Sequence, residues 1–139
     1  MKPPERYQSE VIAQRELSPG TYELTLARAG LSFRPGHEVY LHGAAPIDDR
    51  QYSIVSGESE KDLRFLYRLI PTGTLSPQLA SLRPGDPIAF TGPTGKFFLR
   101  DSERPAVCVA TGTGIAPFVS FVLSHPEIDL TLFHGVRDP

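Results

Sequence analysis

Residue types that could bind a phosphate and an aromatic ring are concentrated in the segment Arg50-Gln51-Tyr52-Ser53. In a strand, Arg50 and Tyr52 share one face, whereas Gln51 and Ser53 share the other. The Arg guanidinium is a planar set of donors that fits phosphate oxygens, and the Tyr ring is a flat surface for stacking. The segment therefore suits a ligand with both a phosphate and a large ring. Taken alone, it also fits an ordinary strand with an exposed Arg and a half-buried Tyr.

A second phosphate-binding candidate lies at the start of a short helix, which is predicted over residues 76–82. Ser76 is a good N-cap residue, and Pro77 suits the first helical position. One helical face carries leucines spaced i, i+4 and i+7, which are Leu75, Leu79 and Leu82. Helix N-termini offer free N–H groups and the positive end of a dipole, and glycine lets a ligand approach the backbone. A pyrophosphate could therefore bind Gly73, Thr74, Leu75 and Ser76, although a plain capped surface helix explains the same residues.

A glycine loop, Gly112-Thr113-Gly114, follows an apolar run and precedes a helix that is predicted over about residues 116–123. The run at 106–110 is predicted to be a strand buried on both faces, with a second, parallel strand at 130–133. This is the context of a dinucleotide phosphate loop, but Pro117 stands where the usual fingerprint has its third glycine. A strand-to-helix turn that simply needs glycine is the alternative.

Turn signals divide the preceding chain into short runs with strand character. Pro and Gly pairs mark turns at 19–20, 35–36, 84–85 and 92–93. In the run at 21–27, Tyr22, Leu24 and Leu26 alternate with polar residues, which indicates one buried face. Short strands at this spacing are typical of a closed barrel or a sandwich. The predicted strands are residues 10–17, 21–27, 38–41, 51–56, 63–70 and 87–91.

Composition and charge exclude several classes of protein. The 139 residues, 40% of them hydrophobic, suffice for one domain and at most about one and a half. The net charge of −2 gives no basic field for nucleic acid, and one cysteine, Cys108, cannot hold an iron–sulfur cluster. The histidines lack metal-ligand spacing, and no Gly-x-Ser-x-Gly motif supports hydrolase chemistry. No apolar run approaches the ~20 residues that span a bilayer, and no secretory signal is visible, so a cytoplasmic protein is expected.

Six ordered motifs resemble those of the ferredoxin–NADP(H) reductase family. They are Arg-x-Tyr-Ser at 50–53, Gly-Thr-Leu-Ser at 73–76, Pro-Gly-Asp at 84–86, Gly-Pro-Thr-Gly-Lys-Phe at 92–97, Gly-Thr-Gly-Ile-Ala-Pro-Phe at 112–118 and His-Gly-Val-Arg at 134–137. The segment Leu-Ser-Pro-Gln-Leu-Ala at 75–80 is similar to the bacterial branch. The resemblance implies a six-stranded antiparallel, Greek-key-like FAD-binding barrel with a short helix at 1–99. A linker at 100–105 and an incomplete α/β unit of an NADP-binding domain at 106–139 would follow.

The resemblance also implies a role for each residue of the first motif. Arg50 and the helix start would bind the pyrophosphate of FAD, Tyr52 would lie against the isoalloxazine ring, and Ser53 would hydrogen-bond near flavin N5. Gln51 belongs to the same cofactor-binding segment. Because Tyr52 and Ser53 alternate in a strand, both can touch one flavin only if the strand ends, bends or bulges there, or if the flavin edge wraps around.

Further site residues are implied on the fifth strand and in the second unit. Arg68 could add positive charge near the phosphates, and Tyr67 either packs on FAD or is part of the barrel wall. NADP(H) would meet Gly112, Thr113 and Gly114, and Arg137 would contact one of its phosphates. Ser53 and Thr113 are the predicted catalytic residues, because they would lie where the flavin meets the nicotinamide, and the protein supplies no acid or base.

The predicted function is electron transfer between NADP(H) and a one-electron carrier such as ferredoxin or flavodoxin, with FAD between them. Relatives continue for about a hundred residues more, and two strands cannot form a covered parallel sheet. The chain is therefore expected to be a fragment, or to complete its second unit with another chain or another copy of itself. One alternative is a flavin-binding module that needs a second chain or the missing part for activity. Another is a barrel that has lost its cofactor and serves as an interaction domain.

Overall fold

The N-terminal part of the chain forms a nearly closed barrel of antiparallel strands. The computed structural model describes residues 3–101 and 103–137. The barrel order is β4-β3-β6-β1-β2-β5, and beyond the end of β4 Val55 N donates to Arg64 O on β5 at 2.9 Å. The predicted six-stranded antiparallel barrel is confirmed. Its strands are β1 (Glu5–Ser18), β2 (Thr21–Ala27), β3 (Glu38–Leu41), β4 (Arg50–Ser53), β5 (Asp62–Arg68) and β6 (Pro87–Thr94).

Alternation along the strands explains which side chains fill the barrel. On β2, Leu24 and Leu26 are 0% exposed, and they lie opposite Phe65 and Leu63 of β5, which are also 0% exposed. Each such side chain contributes about 1.5–3 kcal/mol on burial. The turn between β1 and β2 needs Gly20, whose φ of +76° is costly for a residue with a Cβ. Local sequence signals therefore account for this part of the barrel.

Three strand boundaries differ from the predicted ones by three residues or more, for reasons of long-range pairing, and β5 covers Asp62–Arg68 rather than 63–70. β1 begins at Glu5 rather than at residue 10, because its first residues pair with β6, from Glu5↔Gly92 to Glu10↔Pro87. β4 ends at Ser53 rather than at 56, since Ile54 N donates to His37 O outside the ladder. β6 runs to Thr94 rather than to 91, because Thr94 pairs with β3.

The short helix α1 (Leu75–Ser81) closes one end of the barrel. The predicted leucine face is confirmed: Leu75 is 3% and Leu79 is 1% exposed, and Leu82 packs partly buried against the same core. A helix of this length is marginal by itself, so the contact with the barrel is what stabilises it.

The second unit is a small parallel sheet with one helix on it. β7 (Ala106–Thr111) pairs in parallel with β8 (Leu130–Gly135), as predicted, and α2 (Ala116–Ser124) connects them. The prediction that β7 is buried on both faces is wrong. Val107 is 73% and Val109 is 71% exposed, because within the described residues α2 covers only the opposite face. On the covered face, Cys108 and Ala110 of β7 pack against Phe118 and Phe121 of α2.

Helix α2 packs directly on the barrel segment that follows β4. Ser120 Oγ donates to Ser56 O at 2.7 Å, and both residues are 0% exposed. Glu58 N donates to Ser124 Oγ at 2.9 Å. Gly57 allows the close approach, since a Cβ there would lie 3.1 Å from Leu123 Cβ. The second unit is therefore attached next to the strand that carries Tyr52 and Ser53.

Candidate functional site

Arg50 follows residues 43–49, which contain a 3-10 turn at Pro46–Asp48 and which we call the Arg50 loop. Its side chain is exposed, and Nη1 donates to the carbonyl oxygens of Ile47 and Asp49, both at 2.8 Å. Among residues 3–101 and 103–137, Arg50 has no ion-pair partner and no hydrogen bond from its other guanidinium nitrogens. The loop backbone therefore orients the guanidinium, while Nε and Nη2 stay available for an anion.

Side chains within and beside the Arg50 loop hold it in one conformation. His42 Nδ1 lies 2.6 Å from Asp49 Oδ2, and His42 Nε2 lies 2.7 Å from the hydroxyl of Thr91. The second oxygen of Asp49 accepts a hydrogen bond from Gly43 N at 3.2 Å. These contacts bring the two ends of the loop together at the base of β4.

Gln78 joins the Arg50 loop to helix α1. Its Oε1 accepts a hydrogen bond from Ala44 N at 2.8 Å, and its Nε2 donates to Asp48 Oδ2 at 3.0 Å and to Thr74 O at 2.9 Å. The two segments predicted to bind phosphate are thus connected through one side chain. Sequence reasoning missed Gln78, Asp48 and His42, because no local motif marks a residue whose partners lie on another element.

The start of α1 differs from its prediction in one respect. The helix begins at Leu75, and the predicted N-cap hydrogen bond of Ser76 is wrong. Instead, Ser76 Oγ accepts from Ile70 N at 2.9 Å and lies 3.4 Å from Ile70 O, so it ties the helix to the preceding turn. The first helical turn has no acidic residue and no capping side chain. Gly73 serves the same turn, since a Cβ there would lie 3.1 Å from Ile70 O.

The other members of the first motif lie where β4 ends. Gln51 is exposed, whereas Tyr52 and Ser53 are half-buried, and Tyr52 packs on the edge of the barrel core. Burial raises the pKa of the Tyr52 phenol above its ordinary value, and the positive charge of Arg50 opposes that shift. Because β4 ends at Ser53, strict alternation no longer applies beyond it, which is one of the conditions under which both side chains can contact one ligand.

Tyr67 and Arg68 occupy different environments at the end of β5. Tyr67 is 1% exposed, its hydroxyl donates to Gln14 Oε1 at 2.7 Å, and its ring stacks on Tyr22 with centroids 5.2 Å apart. Burial, which dominates, and the nearby Tyr22 and Tyr52 phenols raise the pKa of Tyr67 above its ordinary value. Arg68 is exposed. Tyr67 is therefore part of the barrel wall in this structure, whereas Arg68 faces solvent.

The glycine loop forms a single 3-10 turn between β7 and α2. Gly112 has a φ of +51° and is exposed, as is Gly114, whereas Thr113 is half-buried. His134 Nε2 lies 2.9 Å from Gly112 O, which ties the loop to β8. Arg137 is exposed beyond the end of β8. Because α2 begins after this loop and is bonded to Ser56, the loop is anchored to the segment that follows Ser53.

A cleft of about 270 Å³ runs along α1, between the Arg50 loop and the start of β6. Of the predicted site residues, only Leu75 lines it, so the cleft and the predicted site are different surfaces. Within the described residues, no three His, Cys, Asp or Glu side chains come together as metal ligands would. In the same part of the chain, each helix is too short or too polar to cross a membrane.

Comparisons with known proteins match both the barrel and the second unit. Residues 9–99 match a family model described as an oxidoreductase FAD-binding domain. The chain is 37% identical over 120 residues to the toluate 1,2-dioxygenase electron transfer component of Pseudomonas putida, covering 84% of this chain and 36% of that protein. A cytochrome P450 reductase of Amycolatopsis superposes with a TM-score of 0.86 at 30% identity, over 99% of this chain and 45% of that one. A ferredoxin NADP+ reductase from Neisseria gonorrhoeae with bound FAD and NADP gives a TM-score of 0.82 at 25% identity, over 93% and 56% of the two chains.

Proposed function

The chain belongs to the family of oxidoreductase FAD-binding domains, and on that premise we propose that it binds FAD and passes electrons between NADP(H) and a one-electron carrier such as ferredoxin or flavodoxin. The predicted resemblance to ferredoxin–NADP(H) reductases is confirmed by the family match and by the superposed reductase structure. The chain spans about a third of the length of the curated relatives it matches. The activity, substrates and partners of a whole protein are therefore part of this proposal.

The observation that carries the proposal is the environment of Arg50. Its guanidinium is held by two carbonyl oxygens and lacks a carboxylate partner among the described residues. The loop that holds it is bonded through Gln78 to α1, whose first turn has no acidic residue. A cation on a loop that is bonded to a helix whose own first turn has no acidic residue fits the pyrophosphate of FAD. The half-buried Tyr52 ring at the end of β4 offers a flat surface for the isoalloxazine.

In this proposal, each residue of the site binds or orients and none moves a proton. Bound FAD supplies the chemistry of accepting a hydride and releasing single electrons. Arg50 and the segment from Gly73 to Ser76 neutralise the phosphate charge. Arg68 lies shortly before Gly73 in the sequence and adds a further positive charge. Tyr52 orients the ring, and the Ser53 hydroxyl offers a hydrogen bond at its edge. Of the two alternatives for Tyr67, its place in the core favours the barrel wall.

The second unit would bring NADP(H) to the flavin. We assign its phosphate contacts to Gly112, Thr113 and Gly114, with Arg137 as a further cation and Thr113 near the reacting rings. The anchoring of α2 to Ser56 supports this assignment, because it keeps the glycine loop next to the β4 end. The division into a barrel at 1–99, a linker at 100–105 and a nucleotide-binding unit at 106–139 stays a prediction, as does the cytoplasmic location.

Flavin affinity tests the proposal directly. The purified protein is expected to be yellow, with flavin absorbance near ~450 nm. The chain has tyrosines but no tryptophan, so binding is followed by the quenching of tyrosine fluorescence or of the flavin's own fluorescence. FAD should bind at far lower concentration than FMN, because FMN lacks the pyrophosphate that Arg50 and the helix start would contact. Equal affinities for FAD and FMN would contradict the assignment of the pyrophosphate site. A colourless protein that takes up no flavin would instead favour the cofactor-free interaction domain.

The alternative function is a flavin-binding module that needs a second chain or further residues for turnover. The exposed valine face of β7 favours it, since the described residues leave that side of the nucleotide-binding unit uncovered. In stopped-flow mixing with NADPH, we expect the chain to hold FAD but to bleach slowly, because displacement of the nicotinamide by even ~1 Å can lower a rate about a hundredfold. Fast, saturable bleaching by the chain alone would rule out the module and support the complete reductase reaction.

A further inference from the structure

We propose that Gln78 is a positioning residue for FAD binding, which acts by holding the Arg50 loop on helix α1. The inference rests on the proposed function, because it concerns the same pyrophosphate contact. Gln78 itself need not touch FAD. Its side chain is placed to control how the guanidinium of Arg50 is presented.

The side-chain amide of Gln78 bonds the Arg50 loop at two places. Its oxygen accepts from Ala44 N at 2.8 Å, near the start of the loop, and its nitrogen donates to Asp48 Oδ2 at 3.0 Å, near the end. The same nitrogen donates to Thr74 O at 2.9 Å, which lies on its own helix. One side chain therefore holds both ends of the loop, and it needs both an acceptor and a donor to do so.

Gly43, Asp48 and Gln78 pack closely where the loop meets the helix. Asp48 is 9% exposed, so its carboxylate depends on donors from the protein. A Cβ at Gly43 would lie 2.6 Å from Asp48 Cβ and 3.2 Å from Gln78 Oε1. Gly43 therefore lies directly against the Asp48 and Gln78 side chains, at the point where their hydrogen bonds join the loop to the helix.

The position of the loop determines how Arg50 is held. The carbonyl oxygens that accept from Arg50 Nη1 belong to Ile47 and Asp49, which flank the residue that Gln78 holds. A shift of Asp48 moves both carbonyls, and with them the plane of the guanidinium. Because a bidentate phosphate contact depends on that plane, a displaced loop weakens FAD binding without removing Arg50.

Exchanging the donor and acceptor across the junction tests this mechanism. In Q78E, the side chain still accepts from Ala44 N but cannot donate to Asp48, and it places two carboxylates side by side. In D48N/Q78E, the amide at position 48 donates to the carboxylate at position 78, which restores the contact with reversed polarity. Q78M removes the hydrogen bonds at similar length and adds no charge. Q8E is the matched control, because Gln8 is an exposed residue of β1, which β6 separates from the strand that leads into the loop.

Affinities for FAD and for riboflavin, which carries the same ring without phosphate, are measured by fluorescence titration of the 139-residue chain. Q78E should bind FAD about tenfold more weakly than the parent and Q8E, and D48N/Q78E should recover to within about threefold. Riboflavin affinity should stay unchanged, because a role confined to Arg50 does not affect the ring.

Three outcomes would overturn the inference: unchanged FAD affinity in Q78E, equal losses for FAD and riboflavin, or no recovery in a folded D48N/Q78E. If circular dichroism shows that Q78E does not fold, the FAD affinity of Q78M is measured in its place. An affinity of Q78M equal to that of the parent overturns the inference. Failure of the parent chain to bind FAD would instead contradict the proposed function, so the two failures are distinguishable.

Discussion

Replacing Arg50 by Ala should separate cofactor binding from stability. The guanidinium is exposed and contributes to the fold only through its two contacts with loop carbonyls. Loss of such exposed contacts costs at most about 1 kcal/mol of unfolding free energy. A charge-assisted hydrogen bond to phosphate contributes about 1.5–3 kcal/mol. Arg50→Ala should therefore weaken FAD binding by roughly tenfold to a hundredfold while the apoprotein stays folded.

Two further variants make the assay specific. Arg104→Ala removes another exposed arginine, whose side chain is 84% exposed and whose partner Asp101 lies 3.4 Å away. A surface pair of that kind contributes about 0–1 kcal/mol, so FAD affinity should not change. Arg50→Lys keeps the charge but loses the planar fork, and its affinity should lie between those of the parent and Arg50→Ala. Fluorescence titration with FAD and urea unfolding of the apoprotein give the two quantities.

The reasoning would be refuted by similar FAD affinities for Arg50→Ala and Arg104→Ala, which would make Arg50 an ordinary surface charge. It would also be refuted if Arg50→Ala weakened riboflavin as much as FAD. Riboflavin has no phosphate, so such a result would mean that the substitution damages the ring site rather than the phosphate contact.

Two other predictions concern the barrel wall and the second unit. Because burial raises the pKa of Tyr67, its protonated form is favoured in the folded state. That contribution is complete below pH about 10, the ordinary tyrosine value, and is lost as the pH rises further. At neutral pH, Tyr67→Phe should lower the free energy of unfolding by about 1 kcal/mol, because the hydrogen bond to Gln14 is lost. Above pH about 10, urea unfolding should show a smaller fall in that free energy for the variant than for the parent. An equal fall in both proteins would contradict this reasoning. The double variant Val107→Thr and Val109→Thr should self-associate less than the parent in sedimentation runs, and its free energy of unfolding should change by less than about 0.5 kcal/mol. Val11→Thr is the control, and it should destabilise the fold because Val11 is buried. Equal self-association of the parent and the double variant would count against an exposed apolar face.

The predicted barrel strands β2 and β3 agree with the structure to the residue, because their signals are local. β2 alternates apolar and polar residues between Gly20 and a glycine turn, and β3 is a short run after Pro35-Gly36. The start of β1 was not predictable in this way. Residues 5–10 are mostly polar, and they form a strand because β6 pairs with them. Such pairing depends on residues some eighty positions away, which no window of the sequence contains.

The site shows the same division between local and long-range signals. The types of Arg50, Tyr52 and Ser53 alone suited a phosphate and a ring, the resemblance to the reductase family implied flavin, and the strand they lie on is present. The actual use of Ser76 was missed, since a serine before a helix has the same local signature whether it caps the helix or bonds Ile70. Gln78 stands in the segment at 75–80 that carries the resemblance, but its role was missed, because its partners lie on the loop that packs on it.

The pairing of β1 with β6 also has a consequence for the order of events during synthesis. The turn at Gly20 lets β1 and β2 form a hairpin as soon as they emerge, but residues 5–10 must wait for residues 87–92. Every residue assigned to FAD, from Arg50 to Ser76, is translated within that interval. Since distant pairings form late, these residues are all synthesised before the barrel can close through the pairing of β1 with β6.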